Sequence, residues 1–183
     1  MDFEPLDTTL DGLVLVEGET IADERGFLVE TFRRNSMRSI GIDCEFVQEN
    51  QSRSLKGTLR GIHFQTSPGQ AKLVRCARGR ILDVAVDLRR DSPTFAHWEA
   101  CELSDENQRQ LFLPVGFGHG FLVLSGDADV VYRLSSYYDP NAEAGIAWDD
   151  PDVGIEWPAM GYLISERDQN AASLAEVRDS LPW

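Results

Sequence analysis

The chain has few basic residues, few cysteines and no long apolar run. Its 183 residues contain 17 Lys and Arg against 31 Asp and Glu, a formal net charge of −14. This balance argues against nucleic acid and anionic membranes as main partners, because both require a basic surface. No segment approaches the ~18 apolar residues that span a bilayer, and residues 1–12 do not resemble a secretion signal. We therefore expect a soluble, cytoplasmic protein.

The chain has few cysteines, and their spacing matches no common disulfide or metal-binding motif. The three cysteines, Cys44, Cys76 and Cys101, are odd in number and form no C-x-x-C motif. This usage suggests reduced thiols in a cytoplasmic protein. The length predicts one domain, residues 1–183, large enough to bury a good core.

Strand signals dominate the hydrophobic pattern. Short runs rich in Val, Leu, Ile and Phe recur about every 8–14 residues between turn residues, a spacing typical of an all-β sandwich or barrel. A jelly roll is the preferred architecture, and an open meander is the alternative. Two short helices are predicted at 33–40 and 173–178. The predicted strands are 13–16, 26–32, 45–49, 59–64, 72–76, 80–88, 98–103, 110–113, 121–124 and 130–134.

A basic segment stands out in this acidic chain. Residues 53–80 contain seven Lys or Arg and no Asp or Glu. Two of the three histidines, His63 and His119, lie at the ends of β-type runs in or after it. A small phosphorylated ligand responds to the local field and not to the total charge. The pattern therefore suggests an anionic ligand bound beside a titratable histidine.

Individual cations in this segment have candidate roles. Arg60 and Arg75 could bind a phosphate, because a guanidinium pairs with it bidentately. Lys72, at the head of a strand, could stabilise an oxyanion if it points inward, or it could be a solvated strand end. Strict alternation places Arg60 and His63 on opposite faces, unless Gly61 between them permits a bulge.

Metal ligation is poorly supported by the spacing of the histidines. The position two after His63 is Gln65, so the His-x-His pair of many metal-binding barrels is missing, and His97 lies in another segment. Two histidines and a glutamine are a poor ligand set for Zn or Fe, and we predict no metal.

Without a metal, His63 could act as a general base, or it could be a satisfied core histidine. A base would need an orienting carboxylate, and Asp83, Asp87 and Asp168 are open candidates. Tyr132 alternates with apolar residues and could be core or a pocket acid.

Several linked segments resemble the dTDP-4-dehydrorhamnose 3,5-epimerase family, from about residue 15 to residue 168. They are GTLRGIHFQ (57–65), QAKLVRCARGRILDVAVDLRRDSPTF (70–95), LPVGFGHGFLVLSGDADVVYRLSSYYDP (113–140), GIAWDDP (145–151) and ISERD (164–168). The resemblance implies a cupin-type jelly-roll barrel with a few short peripheral helices. The barrel would cover about 13–150, and a C-terminal extension, 151–183, would carry a catalytic carboxylate.

The resemblance also implies an activity. Family members act, without metal or other cofactor, on dTDP-4-keto-6-deoxy-D-glucose, invert C3 and C5, and form homodimers with exchanged strands. The product would be dTDP-4-keto-L-rhamnose. Two alternatives stay open: an epimerase acting at C3 or C5 alone, and a non-catalytic jelly roll that binds a sugar nucleotide.

Residue roles carry over from the family motifs. His63 matches the catalytic base, Asp168 its carboxylate partner, Tyr132 the proton donor on the opposite face, and Lys72 the residue near the enolate oxygen. Tyr138 matches the ring that stacks on thymine, and Arg167 stands where the family usually has Lys. The implied binding positions are Arg25, Phe27, Glu30, Gln48, Glu49, Asn50, Arg60, Asp83, His119, Tyr138, Glu143 and Arg167.

Overall fold

The computed structural model describes residues 2–183, which form mostly short, antiparallel strands. The helices are α1 (Arg34–Ser39), α2 (Glu166–Gln169) and α3 (Leu174–Val177), and α3 runs into a 3₁₀ turn at Arg178–Ser180. In chain order the strands are β1 (Phe3–Leu6), β2 (Val14–Gly18), β3 (Thr20–Asp23), β4 (Gly26–Val29), β5 (Gln48–Leu55), β6 (Thr58–Gln65), β7 (Lys72–Arg78), β8 (Arg80–Asp87), β9 (Trp98–Ser104), β10 (Arg109–Leu113), β11 (Phe117–Val123), β12 (Asp127–Leu134), β13 (Glu143–Gly145) and β14 (Leu163–Ile164).

Two sheets face each other. The first has the order β1-β2-β10-β7-β12-β5, and the second has the order β13-β6-β11-β8-β9, with β14 alongside β6. Every pairing in the two sheets is antiparallel except that of β14 with β6. Strands β3 and β4 form a separate hairpin. The prediction of an all-β jelly roll with few short helices is confirmed.

Most predicted elements are found, with shifted ends. Helices predicted at 33–40 and 173–178 appear as α1 and α3, and α2 was not predicted. The strand predicted at 45–49 begins later, as β5, because its sequence QENQSRSL is polar and carries little apolar signal. The run predicted at 26–32 ends as a strand at Val29. Strands β1, β3, β13 and β14 were also missed; each has only two to four residues.

The inward faces change from apolar to polar along their length. Side chains two positions apart share a face. On β12, buried Val130 shares the inward face with Tyr132. On β7, buried Val74 shares the inward face with Lys72. On β11 the inward row runs from Phe121 to His119. One end of the space between the sheets is therefore a dry core, and the other end is lined by polar groups.

The C-terminal extension covers the outer face of the second sheet. Leu174 and Trp183 belong to an apolar cluster with Phe64 of β6, whose ring meets that of Trp183 edge to face. The buried Asp150 carboxylate accepts a hydrogen bond from the Leu174 backbone N–H at 2.7 Å. Strand β14 pairs along the edge of β6 and is followed by α2, which places Asp168 beside that edge. Among residues 2–183, no helix has the length and apolar character needed to cross a membrane.

A bulge in β6 resolves the conflict between Arg60 and His63. His63 lies opposite His119, but Arg60 lies opposite Phe121, so β6 spends three steps where β11 spends two. Gly61 sits in the extra step with a φ of +127°. A Cβ there would lie 2.5 Å from the Gly120 Cα and 2.8 Å from the His119 carbonyl oxygen. Glycine is therefore required, and the bulge turns Arg60 and His63 toward the same side.

We predict that Gly61→Ala lowers the free energy of unfolding by at least about 2 kcal/mol, because the methyl group meets backbone atoms and the φ value suits glycine alone. Gly126→Ala is the matched control, since a Cβ at Gly126 meets nothing within 4 Å. It should change stability by no more than about 0.5 kcal/mol. Urea unfolding of both variants measures the difference. Equal effects would show that Gly61 is not constrained.

Candidate active site

The polar end of the space between the sheets is a cavity of about 520 Å³. This main cavity is walled by both sheets and bordered by α2. Most of the predicted site residues line it, and the second sheet's bulge contributes two of them. The predicted residues that line it are Gln48, Asn50, Arg60, His63, Lys72, His119, Tyr132, Tyr138, Glu143 and Arg167.

His63 and Asp168 form a hydrogen-bonded pair at one wall. The His63 Nε2 lies 2.8 Å from the Asp168 Oδ1, across 105 positions of sequence. The other carboxylate oxygen accepts from the Gly61 N–H at 3.4 Å, and the Asp168 N–H donates to the Ser165 hydroxyl oxygen that caps α2. Burial opposes ionisation of Asp168, but the bond to His63 and these smaller contributions outweigh it and lower its pKa. An ionised Asp168 fixes the orientation of the imidazole through this hydrogen bond.

The opposite wall carries the phenol and the ammonium group. Tyr132 on β12 and Lys72 on β7 belong to the first sheet, and His63 belongs to the second. The Lys72 Nζ reaches across and donates to the His63 carbonyl oxygen at 3.2 Å. Desolvation lowers the Lys72 pKa to about 8, although nearby Glu143 and Asp83 favour the charged form. Lys72 is therefore an inward-pointing cation and not a solvated strand end.

His119 is held by a buried carboxylate on the inward face of β8. Its Nε2 lies 3.0 and 3.1 Å from the two oxygens of Asp83, which is fully buried. His119 lines the main cavity, and Asp83 does not. Asp83 therefore acts on the cavity through the orientation of the His119 ring.

Three side chains form a hydrogen-bonded bridge at the mouth. The Tyr138 hydroxyl and the Arg167 Nη1 both donate to Glu143 Oε2, each at 2.7 Å. Burial opposes ionisation of Glu143, but these two donors outweigh it and its pKa lies below the usual value. The bridge links the loop after β12 to α2.

The basic segment contributes fewer charges to the cavity than its sequence suggested. Arg75 alternates with core residues Val74 and Cys76 and does not line the cavity, so it is not placed to bind a ligand there. Arg60 donates to the Ser54 hydroxyl at 3.1 Å, and within residues 2–183 neither it nor Lys72 has a carboxylate in ion-pair contact. Three other arginines of the segment pair with acids elsewhere: Arg53 with Asp129, Arg78 with Asp127 and Arg80 with Glu102.

Some predicted binding residues lie outside the main cavity. Glu49 alternates with two cavity residues and pairs with Arg133 on the outer face. The β3–β4 hairpin forms a separate depression of about 270 Å³. The predicted binding residues that do not line the main cavity are Asp83, Arg25 in the β3–β4 turn, Phe27 on β4, Glu30 just after β4, and Glu49.

Ser52 was missed by the sequence analysis. It lines the cavity, and its buried hydroxyl has no hydrogen-bond partner within the described residues 2–183. Because Gln48 and Asn50 were predicted, alternation along β5 would have identified it. Gln70, Phe121 and Leu134 also line the cavity without having been predicted.

Together these features define an acid–base enzyme built on a cupin-type jelly roll. An imidazole with a carboxylate partner and a phenol project from opposing sheets, and an ammonium group lines the same cavity. Such a set can take a proton from one face of a carbon and return one to the other.

Comparison with known proteins gives the family. The model of the dTDP-4-dehydrorhamnose 3,5-epimerase family matches residues 7–176. The chain belongs to this family of isomerases. It is 47% identical to the dTDP-4-dehydrorhamnose 3,5-epimerase of Methanothermobacter thermautotrophicus over 178 residues, 96% of each chain.

A solved structure gives the same result. The 3,5-epimerase of Legionella pneumophila, in complex with dTDP-4-keto-L-rhamnose, superimposes with a TM-score of 0.95 at 42% identity and covers 98% of this chain and 96% of its own. A relative named dTDP-4-dehydrorhamnose 3-epimerase, from Streptomyces niveus, is also 42% identical over 93% of this chain and 84% of its own.

We predict that kcat/KM falls as the pH rises through about 8, because Lys72 loses its charge there in the free enzyme. In Lys72→Arg the guanidinium stays charged, so the alkaline fall should move upward even if the absolute rate is lower. Rates measured from pH 6 to 10 on both proteins test this. An identical alkaline limb in the two would assign the titration to another group.

Proposed function

We propose that this chain inverts C3 and C5 of dTDP-4-keto-6-deoxy-D-glucose and forms dTDP-4-keto-L-rhamnose. One observation carries the proposal. The His63–Asp168 pair and Tyr132 project into one cavity from opposing sheets. A sugar ring bound between them would have a base on one face and an acid on the other.

The chemistry requires these residue types. Protons at C3 and C5 are adjacent to the C4 ketone, so removing one leaves an enolate. His63 takes the proton, the electron pair of the C–H bond moves toward the C4 oxygen, and the Lys72 ammonium group stabilises the developing charge. Tyr132 then gives its proton to the opposite face of the carbon. No change of oxidation state occurs.

The remaining cavity residues fit the nucleotide. Arg60, which has no carboxylate in ion-pair contact among residues 2–183, and Arg167 at the mouth supply positive charge for a diphosphate. The Tyr138 ring is half exposed at the mouth, where it can stack on thymine. Gln48 and Asn50, hydrogen-bonded to each other, offer amide groups on the same side.

A second candidate is inversion at a single carbon. The relative named as a 3-epimerase favours it, because its identity to this chain equals that of the Legionella 3,5-epimerase. The complete acid–base set around one cavity favours double inversion.

We predict that solvent deuterium enters both C3 and C5 when the substrate is turned over in deuterated water, since each inversion returns a solvent-derived proton. NMR of the sugar measures the label at each carbon. Label at one carbon alone would reduce the activity to a single-position epimerase. Absence of label at both carbons would contradict epimerisation of this substrate.

We predict that Tyr132→Phe reduces inversion more than it reduces proton removal. The ring and its packing remain, so folding should survive, and His63 can still form the enolate. Deuterium in recovered substrate is compared with deuterium in product. A parallel fall in both would show that Tyr132 is not the acid, and Tyr137 or a water would become the better candidate.

We propose further that the chain works as a homodimer whose N-terminal strand region crosses to the partner. Arg25, Phe27 and Glu30 lie outside the cavity of their own chain. The β3–β4 hairpin also exposes apolar side chains: Ile21 is 54%, Phe27 57% and Leu28 64% exposed. A crossing hairpin would bury these side chains and bring the polar ones to the partner's cavity.

We therefore predict a dimer by light scattering at micromolar concentration. Replacing Phe27 and Leu28 together by Ser should weaken it and lower activity, because the exposed apolar surface that would be buried is lost. A fully active monomeric wild-type protein would contradict the crossing.

A further inference from the structure

A second open cleft lies beside the catalytic pair. This side cleft has a volume of about 550 Å³ and is bordered by Asp168, by residues 170–172 and by Gly145. It shares His63 and the mouth bridge of Tyr138, Glu143 and Arg167 with the main cavity. Tyr132, Lys72 and His119 border the main cavity and not the side cleft. His63 therefore has two open sides, and Asp168 borders the one away from the opposing sheet.

Double inversion creates a need for proton exchange. In the first inversion a C–H bond breaks, its proton goes to His63, and the Tyr132 O–H proton goes to the same carbon from the other face. The pair is left as an imidazolium and a phenolate. Before the second carbon can react, the imidazolium must lose a proton to water and the phenolate must gain one. The two transfers balance, and the sugar is bound throughout.

The bound sugar limits where His63 can meet water. Its ring would occupy the main cavity between His63 and Tyr132. The Glu143 carboxylate, fixed by Tyr138 and Arg167, lines both the main cavity and the side cleft. The His63 side chain is 26% exposed, and small residues such as Ala171 and Ala172 leave the cleft open.

We propose that the side cleft is the route by which the His63–Asp168 pair exchanges its proton with solvent while the sugar remains bound. This inference rests on the proposed double inversion. The C-terminal segment around Ala171 would then serve proton exchange without touching the substrate. Narrowing the cleft should then separate the two inversions, because the first needs no exchange and the second does.

The test fills the cleft in steps with Ala171→Val and Ala171→Leu. Ala159→Leu is the matched control, since Ala159 lies exposed in the same extension and borders neither cavity. Each protein turns over dTDP-4-keto-6-deoxy-D-glucose in deuterated water. NMR gives the ratio of doubly to singly inverted sugar, and the share of recovered substrate that has kept its original hydrogen.

In the filled variants the ratio should fall with side-chain size, by about tenfold or more in Ala171→Leu, which is within the range of a lost proton transfer. The first inversion should persist, and more of the original hydrogen should return to its carbon. The ratio compares two inversions made by the same protein, so a general loss of activity would not by itself lower it. An unchanged ratio, or a parallel loss of both inversions in the Val and Leu variants, would overturn the inference. Failure of the wild-type protein to label both carbons would instead contradict the proposed function.

Discussion

The site depends on one extra residue in β6. Without the bulge at Gly61, Arg60 and His63 would point to opposite faces of the second sheet, and their side chains could not line the same cavity. The bulge is possible because Gly61 and Gly120 meet with no side chain between them. The Gly61 N–H also donates to Asp168, so the same residue helps to hold the carboxylate that is hydrogen-bonded to His63.

Two further features of the fold complete the cavity that the bulge makes possible. The first is that the opposing sheet places Tyr132 and Lys72 across the cavity from His63, which gives the two faces of a bound ring different chemistry. The second is the anchoring of the C-terminal extension, where buried Asp150 accepts the Leu174 N–H and apolar side chains cover the outer face of the second sheet. Asp168 is thereby held beside the edge of β6, and its lowered pKa keeps it ionised beside the histidine.

Much of the architecture could be predicted from sequence, because strongly apolar runs such as those of β8 and β12 define strands by themselves. The polar strand β5 was placed too early, since its alternation carries no apolar signal.

Residue patterns showed that Gly61 could permit a bulge, but they could not show that one forms, because this depends on contact with Gly120. Residue spacing alone did not distinguish Asp83, Asp87 and Asp168 as carboxylate partners of His63. The resemblance to the family selected Asp168. The structure shows the hydrogen bond between Asp168 and His63. Counting charges in the sequence overestimated the positive charge that residues 53–80 offer to the cavity. Acids distant in sequence pair with Arg53, Arg78 and Arg80.

The central claim is that a sugar ring binds between His63 and Tyr132, with its two faces turned to different groups. A crystal structure with bound dTDP-6-deoxy-D-glucose, which lacks the C4 ketone and cannot form an enolate, tests this most directly. The account predicts that the hydrogens on C3 and C5 face His63, with the ring nitrogen about 3–3.5 Å from the reacting atoms, and that the Tyr132 hydroxyl lies on the opposite face. A sugar with both side chains on one face, or one bound outside the main cavity, would contradict it.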